Sequence, residues 1–140
     1  MPFRIARTFT VESGHLLTKH PGACRFPHGH SRTIEIVVAS DALDDRDMVC
    51  DFAELKLAAV DAVARFDHTF ALNSADPVRP ALQLAYGDRV VTFENTDPTT
   101  EVLAREIFGA VRAKLAALPR VRLERVRVTE TATAWAEYSE

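Results

Sequence analysis

The segment Cys24-Arg-Phe-Pro-His28-Gly-His30 carries the residue types best suited to chemistry. Two histidines at i and i+2 of an extended strand project from one face, so both imidazoles can reach one metal ion. Gly29, between them, permits a close backbone approach. Neutral imidazole suits Zn2+, and three histidines with an open fourth position form a catalytic rather than a structural pattern. His15 is the natural third ligand if its strand pairs with the His28 strand as a hairpin. That leaves His20 and His68 without a ligand role. An isolated His-x-His pair reads more simply as a surface or hydrogen-bonded pair. His15 on the matching parity and Cys24 close by turn this one toward a metal site.

Cys24 lies just outside the His-Gly-His pair. A thiol beside a cationic metal site has a stabilised thiolate, which can act as base or nucleophile. It could instead be a fourth zinc ligand, which would close the site. A small buried residue is the weaker reading, because the loop around Cys24 contains Pro, Arg and Lys. Cys50, beside Val49 and Phe52, does read as a buried residue. A disulfide between the two would be unusual in a cytoplasmic domain with an adequate core. Asp67-His68 offers a carboxylate that could orient a histidine as a proton shuttle. A helix-end cap explains the same two residues equally well. Glu130 ends a row begun by Val126 and Val128. A carboxylate in that place needs a partner. A ligand with a bidentate donor edge, such as an amino-pyrimidinone, would serve, and so would one of the nearby arginines.

These residues need elements to position them. Phe3, Ile5, Phe9 and Val11 share one parity, and His15 continues it, which predicts a strand with a core-facing row. Ile34, Ile36 and Val38 share parity with His28 and His30, predicting a second strand over 28–40. Thr18 to Pro27 reads as a loop. Asp51-Phe-Ala-Glu54 resembles a capping box. It opens a helix with Phe52, Leu55, Ala59, Val63 and Phe66 at helical spacing, expected to end near Asp67-His68. A polar, proline-containing connection follows, with a short strand at Val90–Phe93 as an option. A second helix is expected to open at Asp97-Pro98, to carry Leu103, Ile107, Val111, Leu115 and Leu118, and to stop at Pro119. Residues 121–130 and 132–138 read as two closing strands. The expectation is an α+β fold in the order strand, strand, helix, helix, strand, strand: a four-stranded antiparallel sheet with two helices on one face. So small a sheet leaves edges to protect, which favours oligomerisation.

The bulk composition sets bounds. The chain has 140 residues, suited to one domain over 1–140 with a real core. At 47% hydrophobic and 26% charged it is an ordinary globular composition. A formal charge of -3 gives no reason to expect nucleic acid or an anionic membrane as partner. No apolar run approaches the ~20 residues that span a bilayer, and the N-terminus lacks the apolar stretch of a signal peptide. The expectation is a cytoplasmic protein.

Six motifs fall in an order that resembles one family. They are Phe9-Thr-Val-Glu-Ser-Gly-His15-Leu, Cys24-x-x-x-His28-Gly-His30, Val49-Cys-Asp51-Phe52-x-x-Leu55-Lys56, Asp67-His68-x-x-x-Leu72-Asn73, Pro98-Thr-Thr-Glu101-x-Leu-Ala104 and Val128-x-Glu130-Thr131. Together they cover nearly the whole chain and resemble 6-pyruvoyltetrahydropterin synthase and its bacterial relative 6-carboxytetrahydropterin synthase. The resemblance implies the tunnelling fold, with subunits assembled into a homo-oligomer, commonly two stacked trimers, and active sites between subunits. It implies that His15, His28 and His30 hold zinc, that Cys24 is the catalytic thiol, and that Asp67 and His68 transfer protons. It also implies that Glu130 anchors the pterin of dihydroneopterin triphosphate.

The three-residue spacer between Cys24 and His28 resembles the carboxy type, which serves queuosine and related deazapurine synthesis and releases acetaldehyde and triphosphate. The pyruvoyl type, which serves tetrahydrobiopterin, is the first alternative. A zinc- and pterin-binding paralogue without turnover is the second, and retention of Cys24, Asp67 and His68 together argues against it. Three features depart from the family pattern. Gly14 stands where many relatives have Ala, an exchange expected to cost little. Arg25-Phe26-Pro27 replaces a Gly-containing spacer. The stretch from Ser74 to Thr96 is longer than in compact members; it could reshape the substrate entrance or be a surface excursion, and the surface excursion is the preferred reading. Lys19, His20, Arg25 and Arg32 are candidates for the triphosphate, with nothing in the sequence to separate them from solvated charges.

Overall fold

A computed structural model describes residues 2–140. The chain runs β1 (Phe3–His15), β2 (His28–Ser40), α1 (Phe52–Ala64), β3 (Thr69–Asn73), α2 (Arg79–Tyr86), β4 (Val90–Phe93), α3 (Thr100–Leu115), β5 (Arg122–Thr131) and β6 (Ala134–Ser139). The alternating rows make β1 and β2 long strands, paired antiparallel from Phe3 opposite Ser40 to His15 opposite His28. β5 pairs antiparallel with β2, and β6 with β5. β3 lies parallel to β1 at the His15 end only, and β4 lies parallel to β3. The sheet order is β4-β3-β1-β2-β5-β6.

The α+β class holds, but the sheet has six strands and is mixed, and there are three α-helices rather than two. The physical reason lies in short elements. In β3 the consecutive residues Ala71, Leu72 and Asn73 are all buried, so no alternation marks it as a strand. Helix α2 buries none of its eight residues and so shows no core-facing stripe. The segment 74–96 is therefore not a surface excursion throughout: its end, β4, buries Val90, Val91 and Phe93.

The core lies between one face of the sheet and helices α1 and α3. Val11, Ile34, Ile36, Val126 and Val128 pack there against Leu55 and Ala59 of α1 and Ile107 and Val111 of α3. The capping box opens α1: the Asp51 carboxylate accepts from the Ala53 N–H at 2.8 Å, and the Glu54 carboxylate accepts from the Asp51 N–H at 3.2 Å. The helix stops at Ala64, before Asp67-His68. Helix α3 starts at Thr100, with Thr99 as its cap accepting from the Val102 N–H. Asp97 has another task. It is buried and accepts from the Lys19 N–H at 2.8 Å and the Asn73 side chain at 3.0 Å, which ties the loop after β1 to β3.

Candidate active site

The hairpin register puts His15 directly across from His28 and Ser13 across from His30. Three imidazoles therefore crowd one face at one end of the sheet, with ring centroids 4.5, 5.0 and 5.1 Å apart. Their ligand atoms all lie within 4.8 Å of one another. A Cβ at Gly29 would come within 3.2 Å of the Ser13 carbonyl, so glycine keeps the strands close at this point.

Two backbone carbonyls orient the rings. His15 Nδ1 lies 2.8 Å from the Pro98 carbonyl, and His28 Nδ1 lies 2.7 Å from the Phe26 carbonyl. Each Nδ1–H donates outward, which leaves each Nε2 lone pair facing the cluster. His28 Nε2 is buried with no hydrogen-bond partner. An orphaned buried acceptor needs an explanation, and a cation among the three rings supplies one. His15 Nε2 and His30 Nε2 stand 3.2 Å apart, close to the ~3.3 Å separating two nitrogens bound tetrahedrally to one zinc ion. Burial holds the His15 imidazole down at about 4, helped by the charge of Arg32, and burial followed by Arg32 also lowers His30. Burial thus favours in His15 and His30 the neutral form that binds metal. The three residues fit a zinc ion in donor type, tautomer and spacing.

Cys24 is a free, half-buried cysteine in a short 3-10 turn, Ala23–Arg25, whose backbone is held by the Leu17 N–H donating to the Cys24 carbonyl at 2.9 Å. It is not a member of the histidine cluster. Cys50 is buried, and burial raises its thiol, as suits an inert core residue.

Asp67 and His68 do touch: Asp67 Oδ1 lies 3.0 Å from His68 Nδ1. His68 adopts a left-handed backbone with φ 55°, an uncommon conformation for a residue with a side chain. The strand edge supports it, with the His68 N–H donating to the Glu12 carbonyl at 2.7 Å and the Glu12 N–H donating to Asp67 at 2.9 Å. That Glu12 N–H, then the His68 ring, hold the Asp67 carboxyl below its usual range. The pair is not a cap of α1. His68 and His30 line one hollow of about 340 Å³ with Gly14, Gly29 and Ser31. His68 also lines a second, apolar cavity of about 330 Å³ with Pro27, Phe70, Leu82 and Tyr86. Phe70 fills the space beside Gly14, where a Cβ would meet its ring at 2.8 Å. Glycine at that position is therefore matched to Phe70, and alanine there is not a cost-free exchange.

Glu130 Oε1 lies 3.7 Å from His30 Nε2, at the edge of the cluster. No arginine among the described residues forms a salt bridge with it. The four candidates for an anionic tail divide. Lys19, His20 and Arg25 are exposed, whereas Arg32 is 1% exposed and is a residue of the site's interior. The signal was present in the sequence: Arg32 falls on the inward parity between His30 and Ile34.

Comparison with known proteins places these features in a family. A family model described as 6-pyruvoyl tetrahydropterin synthase matches residues 4–140. A protein of Aquifex aeolicus named 6-carboxy-5,6,7,8-tetrahydropterin synthase is 34% identical over 161 aligned positions, covering 100% of this chain and 99% of its own length. One of the same name from Bacillus subtilis is 30% identical, covering 97% of this chain and 84% of its own. Among solved structures, an uncharacterized protein from Wolinella succinogenes superposes with a TM-score of 0.85 at 21% identity, covering 100% of this chain and 99% of that one. The 6-pyruvoyl tetrahydropterin synthase of Plasmodium falciparum superposes with a TM-score of 0.74 at 16% identity, covering 99% and 98%.

Proposed function

The chain belongs to the 6-pyruvoyl tetrahydropterin synthase family, and from that premise we propose that it converts 7,8-dihydroneopterin triphosphate and water to 6-carboxy-5,6,7,8-tetrahydropterin, acetaldehyde and triphosphate. The observation that carries the chemistry is the convergence of three imidazoles, two of them fixed by backbone carbonyls, with the His28 Nε2 left without a partner. The branch rests on relatives of nearly full-length coverage that bear the 6-carboxy name, and on the three-residue spacer between Cys24 and His28. On this reading the protein is a lyase of deazapurine synthesis, such as the queuosine pathway.

His15, His28 and His30 would hold Zn2+, which supplies Lewis-acid polarisation of substrate hydroxyl oxygens when bound. Glu130 receives the N–H donors of the aminopyrimidinone edge, which orients the ring. Cys24 takes a proton from the substrate side chain, and Asp67 holds His68 in one orientation for proton relay. Phe70, Leu82 and Tyr86 line an apolar cavity on one side of His68.

The three histidines form a cluster to which Cys24 and His68 do not belong, and β4 and β6 end the sheet as open edges. Both features support a homo-oligomer, two stacked trimers, in which neighbouring subunits complete each site. Among the described residues no helix is long and apolar enough to cross a membrane, and cytoplasmic residence is part of the proposal.

The test is incubation of zinc-loaded protein with dihydroneopterin triphosphate, mass spectrometry of the pterin and an acetaldehyde assay. The proposal expects carboxytetrahydropterin with acetaldehyde. Pyruvoyltetrahydropterin without acetaldehyde would move the protein to the biopterin branch. Untouched substrate with zinc bound would reject turnover. Cys24→Ala should abolish product and keep zinc.

A further inference from the structure

Arg32 is a charged side chain in an otherwise apolar row. It follows His28 and His30 on β2 and precedes Ile34, Ile36 and Val38, and it is 1% exposed. Its Nε donates to Ser13 Oγ of β1 at 2.8 Å. Its Nη1 donates to Thr100 Oγ1 at the start of α3 at 2.9 Å and to the Thr129 carbonyl of β5 at 3.3 Å. Nη2 is buried and has no partner among the described residues. Every acceptor is neutral, so the hydrogen bonds satisfy part of the fork and none of the charge. Burying a charge in this way costs more than filling the same place with an apolar side chain, which is often neutral or stabilising. Core stability therefore does not account for an arginine here.

The neighbouring strand β5 carries the nearby anion. Ile34 pairs with Val128. The ladder ends at that pair, and beyond it Arg32 Nη1 reaches the carbonyl of Thr129, the residue that precedes Glu130 in a bulged stretch of β5. The Thr33 N–H donates to the Thr129 hydroxyl at 2.7 Å, a side-chain contact where the ladder has ended. Glu130 lies 3.7 Å from His30 Nε2, and its charge is what opposes the effect of burial on the Arg32 guanidinium. The braced arginine thus anchors the β5 backbone at Thr129, the residue next to the carboxylate at the edge of the histidine cluster, and makes no ion pair with that carboxylate.

We propose that Arg32 is a positioning residue for ligand binding: braced by Ser13 and Thr100, it anchors the Thr129 carbonyl and so sets the place of Glu130, the next residue, whose carboxylate receives the donor edge of an aminopyrimidinone. This rests on the pterin reading above. Arg32 acts through Glu130 and does not touch the ligand.

The coupling is read by a double-mutant cycle on the full-length, zinc-loaded protein. The probe is 6-carboxypterin, an unreactive fluorescent analogue of the proposed product, and zinc content and circular dichroism are followed in parallel. Arg32→Met should weaken binding about tenfold beside the native Glu130 and less than about twofold in a Glu130→Gln background. Arg32→Lys keeps the charge, is the safer variant for folding, and should recover part of the loss. Equal losses in both backgrounds, or a lysine variant that folds and binds no better than the methionine variant, would overturn the role of Arg32 and leave the pterin reading standing. A wild-type protein that takes up zinc but no 6-carboxypterin would overturn both.

Discussion

Two histidine environments in this molecule obey opposite physics. His15, His28 and His30 lie at one end of the sheet, and backbone carbonyls set the tautomer of two of them. His68 is 69% exposed at its side chain, has a left-handed backbone, and touches a carboxylate instead of a carbonyl. The first group is held in place, and burial favours the neutral form of His15 and His30. The second keeps access to solvent and an anionic neighbour, which suits gaining and losing a proton. The residue type is the same in both places, and the environment separates the proposed ligands from the proposed shuttle.

The strongest way to break this contrast is to remove one ligand. His28→Ala should lose nearly all bound zinc and at least about 10³-fold of the activity. Retained zinc, measured by elemental analysis, would mean that the cluster is not the metal site. Asp67→Asn should leave zinc in place and lower kcat by about ten- to a hundredfold, because His68 loses its orienting anion. A loss of zinc in that variant would erase the distinction between the two regions.

A third effect belongs to the metal-free protein. Folded His15 titrates at about 4, against about 6.5 in an unfolded chain. Between those values the unfolded chain binds more protons, so stability rises with pH and is lost as pH falls from about 6.5 toward 4. The His15 share of that loss is about 3 kcal/mol. Denaturant titration across that range should show a steeper acid loss for wild type than for His15→Gln, and parallel curves would contradict the buried, neutral assignment. The smallest effect is at Gly14, which lies between the regions. Gly14→Ala should displace Phe70 and cost about 1 kcal/mol, lowering the melting temperature by about 3 °C with zinc content unchanged. An unchanged melting temperature would show that Phe70 yields freely.

What was legible in the sequence followed from period and side-chain chemistry. The two long rows gave the hairpin and its histidines, because alternation over thirteen residues leaves one choice of inward face. The Asp51 cap was legible because its partner Glu54 stands at the required offset. β3 and α2 were not, since one is buried without alternation and the other is exposed without a stripe. The contact between Asp67 and His68 depends on a left-handed residue that no local pattern announces. Arg32 was legible by parity and was passed over among the surface cations, because a buried arginine is rare unless something compensates its charge.

In the proposed site three imidazoles and no thiolate bind the metal. X-ray absorption at the zinc edge on the reconstituted protein tests it most directly. The account predicts a first shell of nitrogen and oxygen alone near 2.0 Å, with the outer-shell scattering of about three imidazole rings. A sulfur at about 2.3 Å would make Cys24 a ligand, close the site, and contradict the division of roles argued above.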